Sequence, residues 1–238
     1  MADTYRFGVA VGVSAAGTIV WSGHGEVGAD PHPEAAGAIT VESSSADDSD
    51  GGGGLETIRL YYIRLIDGVL EREIRDVELN GTTPVDIGVA DGFRILRAYG
   101  LTGLTNVGDV DFLIGGVLAN RIPAGIGQTE SAFWTTPTGV KAHLRGVHVW
   151  MLKGSGADPS AIVKWWSKPA KEAGPWRVFT TPVTAAAPVG NLPVIIFPGN
   201  GPVVEPESDV KVEVFEFAGT SADIVAGIHA HVGHRNVW

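Results

Sequence analysis

Along residues 57–66 polar and apolar positions alternate, Thr57-Ile58-Arg59-Leu60-Tyr61-Tyr62, and the run then turns densely apolar to Ile66. A period of two puts successive side chains on opposite faces of a strand. Asp67-Gly68 supplies the two positive-φ positions of a tight hairpin turn, so Val69 to Leu79 is expected as the return strand. A helical period competes there, because Leu70, Ile74 and Val77 are spaced i, i+4, i+7 with charges between them. The Asp-Gly turn and Asn80-Gly81 at either end favour the strand.

The same pattern continues towards the C-terminus. Lys141 to Met151 is rich in β-formers and ends at Gly154-Ser155-Gly156. Ser160 to Trp166, Trp176 to Thr180, Val194 to Phe197, Val210 to Phe217 and Asp223 to Val232 are further short strands broken by Pro or Gly. Val210, Val212 and Val214 alternate with Lys211 and Glu213, which predicts valines on a buried face and charges on the solvent face. With 33 Gly and 14 Pro there is little room for uninterrupted helix. The expected fold class is all-β, a jelly-roll-like β-sandwich.

Composition narrows the function. Apolar residues make up 44% of 238, enough for a buried core, and the absence of Cys excludes disulfides and thiolate metal sites. A net charge of −10 argues against a nucleic-acid partner, because phosphate binding needs clustered Lys and Arg. No basic region followed by an apolar stretch opens the chain, and no uncharged apolar run of about 18 residues occurs, so neither a secretory leader nor a membrane span is expected.

Ile122-Pro123-Ala124-Gly125-Ile126-Gly127-Gln128 interrupts the strand pattern and suggests two domains. Residues 1–120 would form an N-terminal β region, with an extended arm over about 1–40, and 121–238 a C-terminal sandwich. The tract Ser43 to Asp50 followed by Gly51 to Gly54 is expected as a mobile exposed loop.

Several of these segments together resemble a module of tailed-phage virion proteins. They are Val41 to Asp48 with its Gly tract and Thr57-Ile58, Glu78 to Val85, Ile122 to Thr129, Trp134 to Ala142, and Pro206 to Val214. The resemblance spans roughly residues 40–230, and the order of the segments is more specific than any one of them. It implies a structural role in the virion. The first 40 residues and the His-rich C-terminus lie outside it.

Few constellations could carry chemistry. His229-Ala230-His231 has the His-x-His spacing that lets two imidazoles on one strand face share a divalent metal, as in cupin-type enzymes. His143 or His148, with Glu213 or Glu216, would complete such a set. The plainer reading, two His on the polar face of a terminal strand, is preferred, since only seven residues follow His231. Asp47, Asp48 and Asp50 have the oxygen ligands of a calcium loop but no bidentate Glu at EF-hand spacing, so a solvated acidic loop is expected. Gly125-Ile126-Gly127 and Gly199-Asn200-Gly201-Pro202 lack a phosphate loop's Lys, and no Gly-x-Ser-x-Gly elbow is present. Trp165, Trp166 and Trp176 lie among Lys164, Lys168, Lys171 and Arg177 and are candidates for a subunit interface or a carbohydrate platform. Trp165 and Trp166 must face opposite ways on a strand, so at most one belongs to the core on its own face.

The function expected is that of a non-enzymatic virion structural protein without catalytic residues, metal or cofactor. It would decorate or cement the capsid or form a head fibre, with its own copies, as a trimer by analogy, and the major capsid protein or other virion proteins as partners. The alternatives are a tail fibre that binds host glycans through the Trp residues and a cupin-type metal enzyme using His229 and His231.

Overall fold

The computed structural model describes residues 2–21, 23, 31–153, 158–172, 174–178, 182–186, 194–196 and 201–234. Among them every regular element is a strand, and no helix is long and apolar enough to cross a membrane. The chain divides into two compact units. Unit 1 is Met1–His24 with Ser131–Trp238, and unit 2 is Gly25–Glu130.

In chain order, unit 1 begins with β1 (Ala2–Val13) and β2 (Thr18–Ile19). Unit 2 contains β3 (Ile39–Ser43), β4 (Thr57–Ile66), β5 (Val69–Glu78), β6 (Val85–Asp86), β7 (Gly92–Gly100), β8 (Val110–Ile114) and β9 (Val117–Ile122). The chain then returns to unit 1 through β10 (Phe133–Thr135), β11 (Val140–Lys153), β12 (Ser160–Pro169), β13 (Arg177–Val178) and β14 (Val183–Ala186). It closes with β15 (Val194–Ile196), β16 (Val203–Val204), β17 (Ser208–Ala218) and β18 (Ala222–His234).

Unit 1 is a sandwich of antiparallel sheets. One runs β1-β18-β11-β15 with β16 also on β11, and the other β10-β17-β12-β13 with β14 on β12 and β2 on β17. Buried and more exposed positions alternate along β12 and β18. Ala222, Ile224, Ala226, Ile228 and Ala230 alternate with more exposed neighbours along β18, and Val163 and Trp165 do so along β12. Unit 2 has a four-stranded sheet, β6-β3-β8-β9, and a three-stranded sheet, β5-β4-β7. Ile39, Val41, Leu60, Tyr62, Ile95 and Phe112 are among the residues of its single core.

The hairpin forms as expected. β4 pairs with β5 from Thr57↔Glu78 to Ile66↔Val69, and Asp67 and Gly68 take φ of 50° and 79°. Ile74, the middle of the rival helical stripe, is 56% exposed, while Leu70 and Val77, which their odd spacing puts on opposite faces of the strand, are buried, so no helical stripe forms there. Replacing Gly68 by Ala puts a Cβ into a left-handed turn position and is expected to cost about 1 kcal/mol. A fall of a few degrees in the melting transition, measured by circular dichroism, checks this, and an unchanged transition would contradict the turn geometry.

The units are not 1–120 and 121–238. β9 runs through residue 120, and the 123–127 segment belongs to unit 2 rather than linking two domains. Gly125 N–H donates to the Asn106 carbonyl and Gly127 N–H to Asn106 Oδ1, while Asn106 Nδ2 donates to the Pro123 carbonyl at 2.7 Å. The N-terminal arm is a strand of the molecule's own sheet, pairing with β18 from Ala2↔Val232 to Val13↔Ala222. Gly8 allows the close approach that seats it, since a Cβ there would run into the backbone of Val20 and Ala132. Of the remaining expectations, the Gly154-Ser155-Gly156 turn, Gly199-Asn200 and residues 179–180 and 197 lie outside the described residues.

The acidic tract is exposed at Ser44, Asp47 and Asp50, as expected, but it is anchored through Asp48. Asp48 is 0% exposed and takes a hydrogen bond from each of four donors: Ser43 Oγ at 2.5 Å, and the amides of Val107 at 2.8 Å, Leu55 at 3.0 Å and Gly108 at 3.0 Å. Backbone bonds from Gly81 N–H to the Asp48 carbonyl and from Ser43 N–H to the Gly81 carbonyl close the loop on the β5–β6 turn. A carboxylate saturated by protein donors has no lone pairs left for calcium, which removes the central ligand of the calcium reading.

Candidate interaction face

β12 alternates strictly: Ala161, Val163 and Trp165 are buried, while Lys164, Trp166 and Lys168 are half-buried on the opposite face. Pairing with β17 in the register Lys164↔Glu213 and Trp166↔Lys211 brings Phe215, Lys211 and Glu213 to that same outer region. Lys164 Nζ sits 2.9 Å from the centroid of the Phe215 ring and 5.8 Å from that of Trp166, and the two rings are 6.3 Å apart. Lys168 and Lys211 lie 4.9 and 4.8 Å from the Trp176 ring centroid. The result is a face of three aromatic rings interleaved with three ammonium groups. Cation–π attraction holds the ammoniums over the rings.

The charges of β17 are therefore not simply on a solvent face. Val210, Val212 and Val214 are fully buried as expected, but Lys211 is also buried, with its ammonium 2.5 Å from Glu213. Lys171 pairs with Glu207 at 2.8 Å. Burial would raise the Glu207 carboxyl, but bonds from Lys171 and Thr138 hold it below the usual carboxylate range. Lys164 and Lys168, by contrast, have no carboxylate partner among the described residues.

Of the three Trp singled out, Trp165 is 0% exposed and belongs to the core of unit 1. Trp166 and Trp176 are half-buried on the outer face. The pleat made the opposition of Trp165 and Trp166 readable in advance, but only the sheet packing decided which one lies inside.

The histidines sit on the other sheet. The register places His143 directly opposite His231, and His229 opposite Gly146 beside a bulge. Asp3 is the partner of His231 on the other side. The His231 side chain lies outside the described residues. Burial lowers the affinity of the His148 imidazole for its proton. Glu213 and Glu216, expected to complete a cupin-type set, are on β17 of the opposite sheet, and Glu213 is held by Lys211. The carboxylate and the His-x-His pair are not brought together. Among the described residues no group of three or more His, Asp or Glu is placed to hold a metal ion.

The segments that carry the resemblance meet in the fold and bind one another. Ser43 and Asp48 engage Gly81 from a second segment through backbone hydrogen bonds. Thr135 Oγ1 donates to Asp209 at 2.7 Å, and Thr136 and Ser208 exchange hydrogen bonds through backbone and side chain. Asp209 is fully buried. Sequence inspection assigned neither Asp48 nor Asp209 this role; an acidic residue within a run of small polar residues was the only available signal.

No protein-family model matches the chain, and no curated protein matches it. Among solved structures, the chain is similar to one described as the structure of infectious bursal disease virus Gx strain. Identity is 13% and the TM-score 0.27, over 100% of this chain and 73% of that one. A second, the VP2 subviral particle of infectious bursal disease virus, shows 10% identity and a TM-score of 0.22 over the same shares. Similarity at this level carries no functional conclusion, and the all-β class rests on the strands of the chain itself.

Proposed function

We propose that the chain is a non-enzymatic structural protein of a tailed-phage virion, a homo-oligomer that decorates the head shell or forms part of a head fibre. The observation that carries this reading is what the residues shared with phage virion modules do. Asp48, Gly81, Thr135, Thr136, Ser208 and Asp209 hold strands and turns together. On this reading the resemblance lies in a way of building a β scaffold rather than in a set of reactive groups. Functions carried by such scaffolds rest on many weak surface contacts made stronger by repetition.

Two observations weigh against the alternatives. The carboxylates needed for a cupin-type site are held on the other sheet. A glycan platform needs open ring faces, but Phe215 carries Lys164, and Trp176 carries Lys168 and Lys211.

Quantitative mass spectrometry of purified phage particles, with location by labelled antibody, tests the proposal. On the order of hundreds of copies on the shell are expected, as icosahedral symmetry requires of a decorating protein. A few copies at the tail tip would move the protein to the fibre reading. Absence from washed particles would overturn the virion role.

A further inference from the structure

The charge of this protein is divided along the same line as its fold. Unit 2 contains 18 acidic residues against seven Arg and no Lys, a net −11, while unit 1 contains nine acidic against ten basic, a net +1. All six Lys are in unit 1. Three of these, Lys164, Lys168 and Lys211, are gathered on the aromatic outer face of β12 and β17. Lys211 is neutralised by Glu213, which leaves Lys164 and Lys168 as ammoniums seated on rings with no counter-charge among the described residues.

Unit 2 carries an open groove of about 860 Å³ along β5 and β6, with Asp50, Glu56, Asp76, Glu78 and Asp86 in its walls. Its Arg75 is turned to the Ile87 carbonyl, and Asp76 is taken up by Arg59 at 2.7 Å. Asp50 and Glu78 face the groove with no basic partner among the described residues. Each surface is thus short of the charge that the other has in excess, and Lys164, Lys168, Glu78 and Asp86 are placed by regular strands.

We propose that the Lys164/Lys168 face of one copy docks into the acidic groove of a second copy, so that the chain associates head to tail. This deepens the structural reading above and rests on it. Two different patches meet, so the contact is heterologous, and repetition gives a ring if the rotation closes and a filament if it does not. The aromatic rings give the contact an apolar centre, and the ammoniums select the acidic counter-surface.

Sedimentation velocity of the full chain at about 20 mM and about 500 mM salt tests this, since the Debye length falls several-fold over that range. The expected result is association at low salt that weakens at high salt. Lys164→Glu with Lys168→Glu is expected to weaken association about 100-fold, because like charges then oppose each other across the contact. Glu78→Lys with Asp86→Lys should do the same, while each variant keeps the wild-type circular dichroism spectrum. Mixing the two charge-reversed variants should restore association, each face now matching the other's groove. Salt-independent association, or folded variants that do not recover on mixing, overturns the proposal. So does capture of an acidic polysaccharide such as heparin by the lysine face of a chain that stays monomeric. The outcome is separable from the virion reading. A chain abundant in particles but monomeric at both salts sinks only the docking, and salt-dependent association of a chain absent from particles sinks only the virion role.

Discussion

Asp48→Ala is expected to lower the unfolding free energy by about 4 kcal/mol, a large fraction of the about 5–15 kcal/mol that stabilises a typical domain. The substitution removes an acceptor at which Ser43, Leu55, Val107 and Gly108 converge, and leaves the buried amides of Leu55 and Gly108 and the part-buried amide of Val107 without that partner. A hydrogen bond to a charged group contributes about 1.5–3 kcal/mol, and an orphaned buried donor costs about 1–3 kcal/mol, with strong overlap between the terms. Asp48→Asn keeps one acceptor oxygen and is expected to cost roughly half as much. Urea denaturation followed by tyrosine signals reads the effect in unit 2, because all seven Trp lie in unit 1 while Tyr61, Tyr62 and Tyr99 lie in unit 2.

The same site gives a pH dependence with a definite sign. Burial alone would raise the Asp48 carboxyl, but the bonds from Ser43, Val107, Gly108 and Leu55 hold it below its ordinary value of 3.8. The unfolded chain therefore binds this proton more readily than the folded one. The stabilisation is fully present above about pH 4 and is lost as the pH falls through the folded value. Acid denaturation of the wild type should be steeper than that of Asp48→Asn below pH 4. Parallel profiles would contradict the assignment.

Trp165→Ala and Trp166→Ala should separate although the residues are adjacent. Trp165 is fully buried among the apolar residues of unit 1, and truncating it opens a cavity, with an expected cost of about 3–5 kcal/mol. Its indole N–H has no acceptor among the described residues, so Trp165→Phe should recover much of that loss. Trp166 is half-buried on the outer face against Phe215 and Lys164, and its truncation is expected to cost about 1 kcal/mol. Its larger effect should fall on self-association. Intrinsic Trp fluorescence during urea unfolding, combined with sedimentation, distinguishes the two. Equal losses of stability would mean that the faces of β12 are not divided as described.

How much of this was legible in the residues depended on how local the cause was. The Asp67-Gly68 hairpin, the valines of β17 and the opposition of Trp165 to Trp166 follow from pleat and turn geometry within a few residues of chain. The charges of β17 were misjudged because Trp176, distant in sequence, lies against Lys211. The unit boundary was misplaced because a Pro-Gly-rich stretch marks any turn, and Asn106 draws this one back into unit 2. The anchoring of the acidic tract was missed because the run from Ser43 to Asp50 looks solvated throughout unless the amides of Val107 and Gly108 are known to reach Asp48.

Alone, the amino-acid sequence determined the all-β class, the main strands, the buried valines of β17 and the opposition of Trp165 to Trp166 on β12, since the two-residue period of the pleat is a property of neighbouring positions. Only the tertiary structure decided that β1 pairs with β18, that unit 2 interrupts unit 1, that Asp48 is an internal acceptor and that Lys164 and Lys168 stand without counter-charge among the described residues. These depend on which distant groups are desolvated together, and strand pairing across some two hundred residues leaves no periodic trace in the chain.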